Sequence, residues 1–168
     1  MKKYSTHTFA AVVGFCLICA PCQARVWQLW GGKASIDLPN GYIPKANGPF
    51  TYQVMAINPG VTSIVISKVV GSAGRPDWAP VASAWKRSLA ASGARVVIAP
   101  RGSGNVFDVE YSQAPQSYTK KRIINGPRKN GDFRNLYDIT FVAVPSSASS
   151  SVAGKALVKS LKSFKVKP

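Results

Sequence analysis

The stretch Asn105–Ile124, NVFDVEYSQAPQSYTKKRII, is the most informative part of the chain about the fold, because it contains two strands whose sequences predict how they pair. Apolar and acidic residues alternate in the first strand, and basic residues recur at the same spacing in the second. One register joins opposite charges across the strands: Glu110 with Lys120, and Asp108 with Arg122. The same register brings the apolar residues of both strands together on the buried face, whereas a shift of one residue would place a basic side chain there. The stretch therefore predicts an antiparallel hairpin.

The rest of the chain adds strands and two helices to this hairpin. An apolar stripe with helical spacing begins at Trp78, after a possible N-cap at Asp77. A second helix is expected from about Ser151, which is also an N-cap candidate, to Ser163. The further strands are expected over residues 34–38, 52–57, 62–70, 94–99 and 136–144. The order βββ-α-ββββ-α predicts an α+β fold, with a central antiparallel sheet of about six to seven strands and two main helices packed on it.

The first 24 of the 168 residues have the features of a secretory signal peptide. Lys2 and Lys3 form a positive start, an apolar run follows, and Cys22–Ala24 is a cleavage site of small residues. Residues 25–32 are expected to be a lead-in segment, and residues 33–168 a single α+β domain. A secreted chain of this kind is expected in the periplasm of a Gram-negative bacterium.

Cleavage after Ala24 would leave a mature chain of 144 residues with 20 Lys and Arg, six Asp and Glu, and no Cys or His. Such a chain has no disulfide, no thiol nucleophile, no Ser-His-Asp triad and no Cys/His zinc site. We therefore expect no cofactor and no metal. The paired carboxylates Asp108 and Glu110 could suggest a glycosidase, but ionised partners at Lys120 and Arg122 would remove the general acid. A non-enzyme is expected, with no catalytic residue.

Several short motifs, in this order, resemble the PsbP-like family, which includes the bacterial periplasmic DcrB-type proteins. They are IDLPNGY at 36–42, YTKKRII at 118–124, LYDITF at 136–141 and SFKV at 163–166. The resemblance implies a central antiparallel sheet with helices packed on it and a non-enzymatic role as an adaptor, chaperone or binding subunit. It implies no catalytic residues, and the strongly basic composition departs from what the fold requires.

The net positive charge is the main functional signal; its residues form two clusters and a third group, the pair Lys86 and Arg87 near the end of the first helix. One runs from the second strand of the hairpin into the following loop, and the other recurs at i, i+4 and i+7 on the outer face of the last helix. The candidate binding residues are Lys120, Arg122, Arg128, Lys129 and Arg134 in the first cluster, and Lys155, Lys159 and Lys162 in the second. The alternative to binding is a solvated surface that keeps the protein in solution.

An acidic protein is the expected partner, because a charge of +14 with few acids creates a potential that attracts anions. An anionic lipid or lipopolysaccharide surface is the alternative, with Trp27 and Trp30 as possible interfacial anchors. The other interpretation of these two rings is that they pack over the edge of the sheet. Nucleic acid is an unlikely partner for a secreted protein, and the oligomeric state is left open.

Overall fold

The computed structural model describes residues 24–56, 62–73, 77–127 and 133–167. The predicted signal peptide lies outside these residues, apart from Ala24. None of the helices in the described ranges has the length and apolar character needed to cross a membrane.

The described residues form ten strands and two α-helices, in an α+β arrangement that confirms the predicted fold class. Before the first helix come β1 (Arg25–Leu29), β2 (Ala34–Leu38), β3 (Tyr42–Ala46), β4 (Thr51–Ala56) and β5 (Thr62–Ala73). Then follow α1 (Trp78–Ala91), β6 (Arg95–Ser103), β7 (Val106–Gln113), β8 (Ser117–Asn125), β9 (Phe133–Ala143), a 3-10 helix (Ser146–Ser150), α2 (Val152–Ser163) and β10 (Lys165–Val166). Seven strands form one sheet in the order β3-β4-β5-β9-β8-β7-β6, and β1-β2-β10 form a second.

The β7–β8 hairpin has the predicted register. Asp108 is opposite Arg122 and Glu110 is opposite Lys120, while the apolar Phe107 faces Ile123. The opposite charges on one face and the apolar residues on the other specify the same pairing. One register therefore forms both the ion pairs and the apolar contacts.

The two helices cover opposite faces of the large sheet. Leu89 of α1 packs with Phe107 and Val109, and the rings of Trp78 and Trp85 complete this smaller core, as the helical stripe predicted. Because side chains alternate along a strand, the charged residues of β7 point to the other face. That face carries the main core, which is formed by β9, α2 and the small sheet.

Each α-helix begins at the predicted N-cap. The Asp77 carboxylate accepts a hydrogen bond from the backbone N–H of Ala79 at 3.0 Å, and the Ser151 hydroxyl accepts one from Gly154 at 2.9 Å. In the first turn of α2, Gly154 is buried, whereas the neighbouring Ala153 is exposed. A Cβ atom on Gly154 would lie 2.3 Å from the carbonyl oxygen of Ala148, so only glycine lets α2 approach the 3-10 helix this closely.

The small sheet corrects two expectations. The predicted lead-in contains strand β1, which pairs antiparallel with β2 and buries Leu29 completely. The predicted first strand, 34–38, therefore belongs to the small sheet and not to the central one. Strand β3 was missed because it follows a Pro-Asn-Gly turn and contains Pro44, a residue that is tolerated here because β3 is an edge strand.

Candidate interaction surface

All three basic residues in the middle of β8 are paired with acids. Lys120 contacts Glu110, and Lys121 contacts Asp138, each with a nitrogen–oxygen distance of 2.5 Å. Arg122 makes a bidentate contact with Asp108, donating from Nε at 2.9 Å and from Nη2 at 3.0 Å. As a result, the predicted binding residues Lys120 and Arg122 add little net charge to the surface, although they remain candidate hydrogen-bond donors.

Glu110 is the most enclosed of these acids. Its residue is only 8% exposed, and it accepts hydrogen bonds from both the Tyr118 hydroxyl and the Lys120 ammonium group. Burial raises the pKa of Tyr118 above its usual range, and the bond to the Glu110 carboxylate raises that pKa further. Tyr118 therefore donates a hydrogen bond at this site and is not an available base.

The loop cluster lies largely outside the described residues. Arg128 and Lys129 are not among them, and for Arg134 only the backbone within β9 is described. Their role in binding stays a prediction.

The basic residues of α2 form a ridge on the outer side of the protein. Lys155, Lys159 and Lys162 are all exposed, and we call these three residues the α2 ridge. Lys165 and Lys167 extend the exposed charge beyond the end of the helix. Among the described residues the salt bridges all involve β8, so none neutralises the ridge.

Two clefts flank the α2 ridge. The first, which we call the β2 cleft, has a volume of about 360 Å³ and is lined by Ala24, Asp37, Pro39, Ala156, Lys159, Ser160 and Ser163. The second, the β8 cleft, has a volume of about 180 Å³ and is lined by Ile98, Arg101, Asp108, Lys120, Arg122, Leu161 and Lys162. The Ser163 hydroxyl accepts a hydrogen bond from the backbone N–H of Asp37 at 2.9 Å, which fixes the end of α2 against β2.

Arg101 is a member of this surface that sequence patterns did not indicate. It is exposed on β6 and lines the β8 cleft together with Lys162 of α2. The register of β6 against β7 shifts between Val96 and Ile98 and again between Ile98 and Arg101. Such irregularities disturb the simple alternation of faces, so no period-two pattern could have shown where Arg101 lies.

The two tryptophans near the start of the described chain pack against the main core. Trp30 contacts the rings of Tyr52 and Tyr137 at centroid distances of 5.1 and 5.6 Å, and its Nε1 donates to the carbonyl oxygen of Pro49 at 3.2 Å. Trp27 is half-buried, and the guanidinium of Arg25 lies 4.6 Å from its ring centroid. These contacts favour packing over the sheet edge, and a role for either ring as an anchor stays a prediction.

The carboxylates of β7 have a structural role that fits their contacts. Asp108 and Glu110 each accept hydrogen bonds from a basic side chain of β8, as expected from the sequence. The carboxylates of β7 hold the Lys120 and Arg122 side chains in place.

No protein-family model matches the sequence, and no curated protein matches it in a sequence search. Solved structures do resemble the fold. The solution structure of cyanobacterial PsbP from Synechocystis has a TM-score of 0.55 and 12% identity, over 92% of this chain and 99% of that one. The crystal structure of the Ran-binding protein Mog1p from Saccharomyces cerevisiae has a TM-score of 0.51 and 13% identity, over 86% and 96%. The resemblance to PsbP is thus confirmed at the level of the fold, while the resemblance to DcrB-type proteins stays a prediction.

Proposed function

We propose that this protein is a secreted, non-catalytic binding protein of the periplasm that captures an acidic protein partner through the α2 ridge and the basic residues around it. The observation that carries the proposal is the separation of charge on the surface. Acidic residues of β7 and β9 form salt bridges with the basic residues of β8. The lysines of the α2 ridge are exposed and have no salt bridge within the described part of the chain.

The electrostatics of this arrangement favour an extended acidic surface as the partner. Exposed charges of one sign attract a complementary surface over distances of about 10 Å and increase the rate of association. The ridge is continued by Lys165 and Lys167, so the positive region is longer than a small-molecule pocket. The predicted loop residues Arg128, Lys129 and Arg134 belong to the same proposed surface.

The fold offers support by analogy only. Mog1p is described as a Ran-binding protein, so the same architecture serves protein binding elsewhere. Fold does not determine function, and the partner of this chain has to be found from its own surface.

Charge reversal of the ridge tests the proposal. Mature protein (residues 25–168) carrying Lys155→Glu, Lys159→Glu and Lys162→Glu would be immobilised and exposed to a periplasmic and envelope extract at low and then physiological salt. The matched control is Lys45→Glu, Lys86→Glu and Arg87→Glu, which makes the same charge change at exposed positions outside the ridge. Circular dichroism would establish that both variants are folded.

We expect wild type and control to retain one acidic protein at physiological salt, and the ridge variant to lose it. Reversal of Arg128, Lys129 and Arg134 is expected to weaken the same interaction. Equal retention by the ridge variant and the control would contradict the proposal. Flotation of the wild type with anionic vesicles at physiological salt, without capture of a protein, would favour the lipid alternative instead.

A further inference from the structure

We infer that the β8 cleft is a carboxylate pocket, which receives one acidic side chain or the terminal carboxylate of the partner; the inference rests on the proposed function. The cleft lies between the last turn of α2 and residues of β6, β7 and β8. Its lining contains four basic side chains and one acid: Arg101, Lys120, Arg122 and Lys162, with Asp108. Glu110, which is not part of the lining, forms a salt bridge with Lys120. The four basic side chains still exceed the two acids, Asp108 and Glu110, so the cleft has an excess of positive charge.

The basic groups of the cleft retain hydrogen-bond donors after their internal pairing. Arg122 uses Nε and Nη2 for Asp108, which leaves three N–H groups: both of Nη1 and the second of Nη2. Lys120 donates one of its three N–H groups to Glu110. Arg101 and Lys162 are exposed at the rim and have no salt bridge within the described ranges.

The acids of β7 fix the donors at the floor of the cleft. The side chains of Lys120 and Arg122 are only 14% and 23% exposed, and each is anchored by its own carboxylate. A long basic side chain loses rotamer freedom when it binds a ligand, and anchoring reduces that loss. The bidentate contact with Asp108 also fixes the orientation of the planar guanidinium group of Arg122.

The size of the cleft selects a single small group. Its volume of about 180 Å³ corresponds to roughly six water molecules. Pockets for whole small ligands usually have about 300–1,000 Å³. Ile98 and Leu161 supply apolar walls beside the cations, which suits the methylene stem and charged end of a Glu or Asp side chain.

The β2 cleft on the other side of α2 does not have this chemistry. It is larger, and its charged lining residues are one acid and one base, Asp37 and Lys159. Its lining therefore has no excess of positive charge to attract a carboxylate. Of the two clefts beside α2, only the β8 cleft, which borders the large sheet, has the charge that a carboxylate pocket requires.

Titration with a defined peptide tests the inference. The probe is acetyl-triglutamate amide, added to ¹⁵N-labelled mature protein while the arginine Nε–H signals are followed by NMR. The variant is Arg101→Gln with Lys162→Gln, and the matched control is Arg87→Gln with Lys86→Gln, which removes the same two charges from α1. A second probe, acetyl-trialanine with a free terminal carboxylate, separates a side-chain source from a chain-terminal one.

We expect saturable shifts of the Arg101 and Arg122 signals with at least one probe. Binding should be at least tenfold weaker in the cleft variant and change less than twofold in the control. Equal weakening in both variants, or no saturable shift with either probe, would overturn the inference. If the cleft variant still captures the acidic protein from the extract and the ridge variant does not, the pocket fails while the proposed function stands.

Discussion

Replacing Glu110 by Gln tests how strongly the floor of the β8 cleft depends on its buried ion pair. The single amide oxygen of Gln can still accept the hydrogen bond from Tyr118, so the negative charge and the acceptor that face Lys120 are both lost. The side chains of the pair are 10% and 14% exposed, and the ammonium group of Lys120 would remain with no counter-charge.

The magnitude follows from this burial. Removing one partner of a fully buried ion pair costs about 3–5 kcal/mol. Lys120 lines an open cleft where water reaches part of it, so we expect a smaller loss of about 2 kcal/mol in the free energy of unfolding. Asp138→Asn provides the comparison, because the Asp138 and Lys121 side chains are 29% and 18% exposed and such pairs contribute about 1 kcal/mol or less.

Urea unfolding of the mature protein, followed by tryptophan fluorescence and circular dichroism, measures both losses. A change of about 2 kcal/mol moves the midpoint by roughly 1 M. The double variant Glu110→Gln/Lys120→Met should recover most of the stability, because it removes the unpaired charge as well. A loss for Glu110→Gln no larger than that for Asp138→Asn would refute the reasoning.

Two further predictions concern groups that the fold encloses. Tyr118 should stay protonated through pH 10, so wild type and Tyr118→Phe should show the same phenolate absorbance step there; a step smaller by one tyrosine in the variant would contradict the raised pKa. Because that pKa is higher in the folded protein, the stability Tyr118 provides is complete below about pH 10 and is lost as the pH rises above it. Gly154→Ala should destabilise the protein by about 1–3 kcal/mol in urea unfolding, because its Cβ would clash with the Ala148 carbonyl oxygen. This loss should outweigh the gain of about 1 kcal/mol in helix propensity. A variant as stable as the wild type would show that α2 can move away from the 3-10 helix and would contradict the prediction.

The elements that could be predicted from sequence are those whose information is local. The charges within the β7–β8 hairpin predict its register, and the capping residues Asp77 and Ser151 predict where the two helices begin. The outer face of α2 also follows from spacing, since residues at i, i+4 and i+7 share one side of a helix. The α2 ridge was therefore visible before the structure.

The elements that were missed depend on partners far along the chain. Strand β10 has only two residues and pairs with β2 across more than 120 residues, while β1 pairs with β2 and β3 contains Pro44 and lies at the edge of the large sheet. The close approach at Gly154 likewise depends on where the 3-10 helix lies. Short strands acquire their stability from the sheet they join, so their own sequence carries little of the signal.

The α+β class, the hairpin register, the caps and the basic face of the last helix all follow from local patterns in the sequence. Which charges remain unpaired depends on how distant parts of the chain pack. The Lys121–Asp138 pair requires the β8–β9 register, and Arg101 and Lys162 line one cleft because the tertiary structure brings the last turn of α2 near the irregular strand β6. Charge is a property of each residue, but its compensation depends on distances of a few ångströms between residues remote in sequence, and folding alone sets those distances.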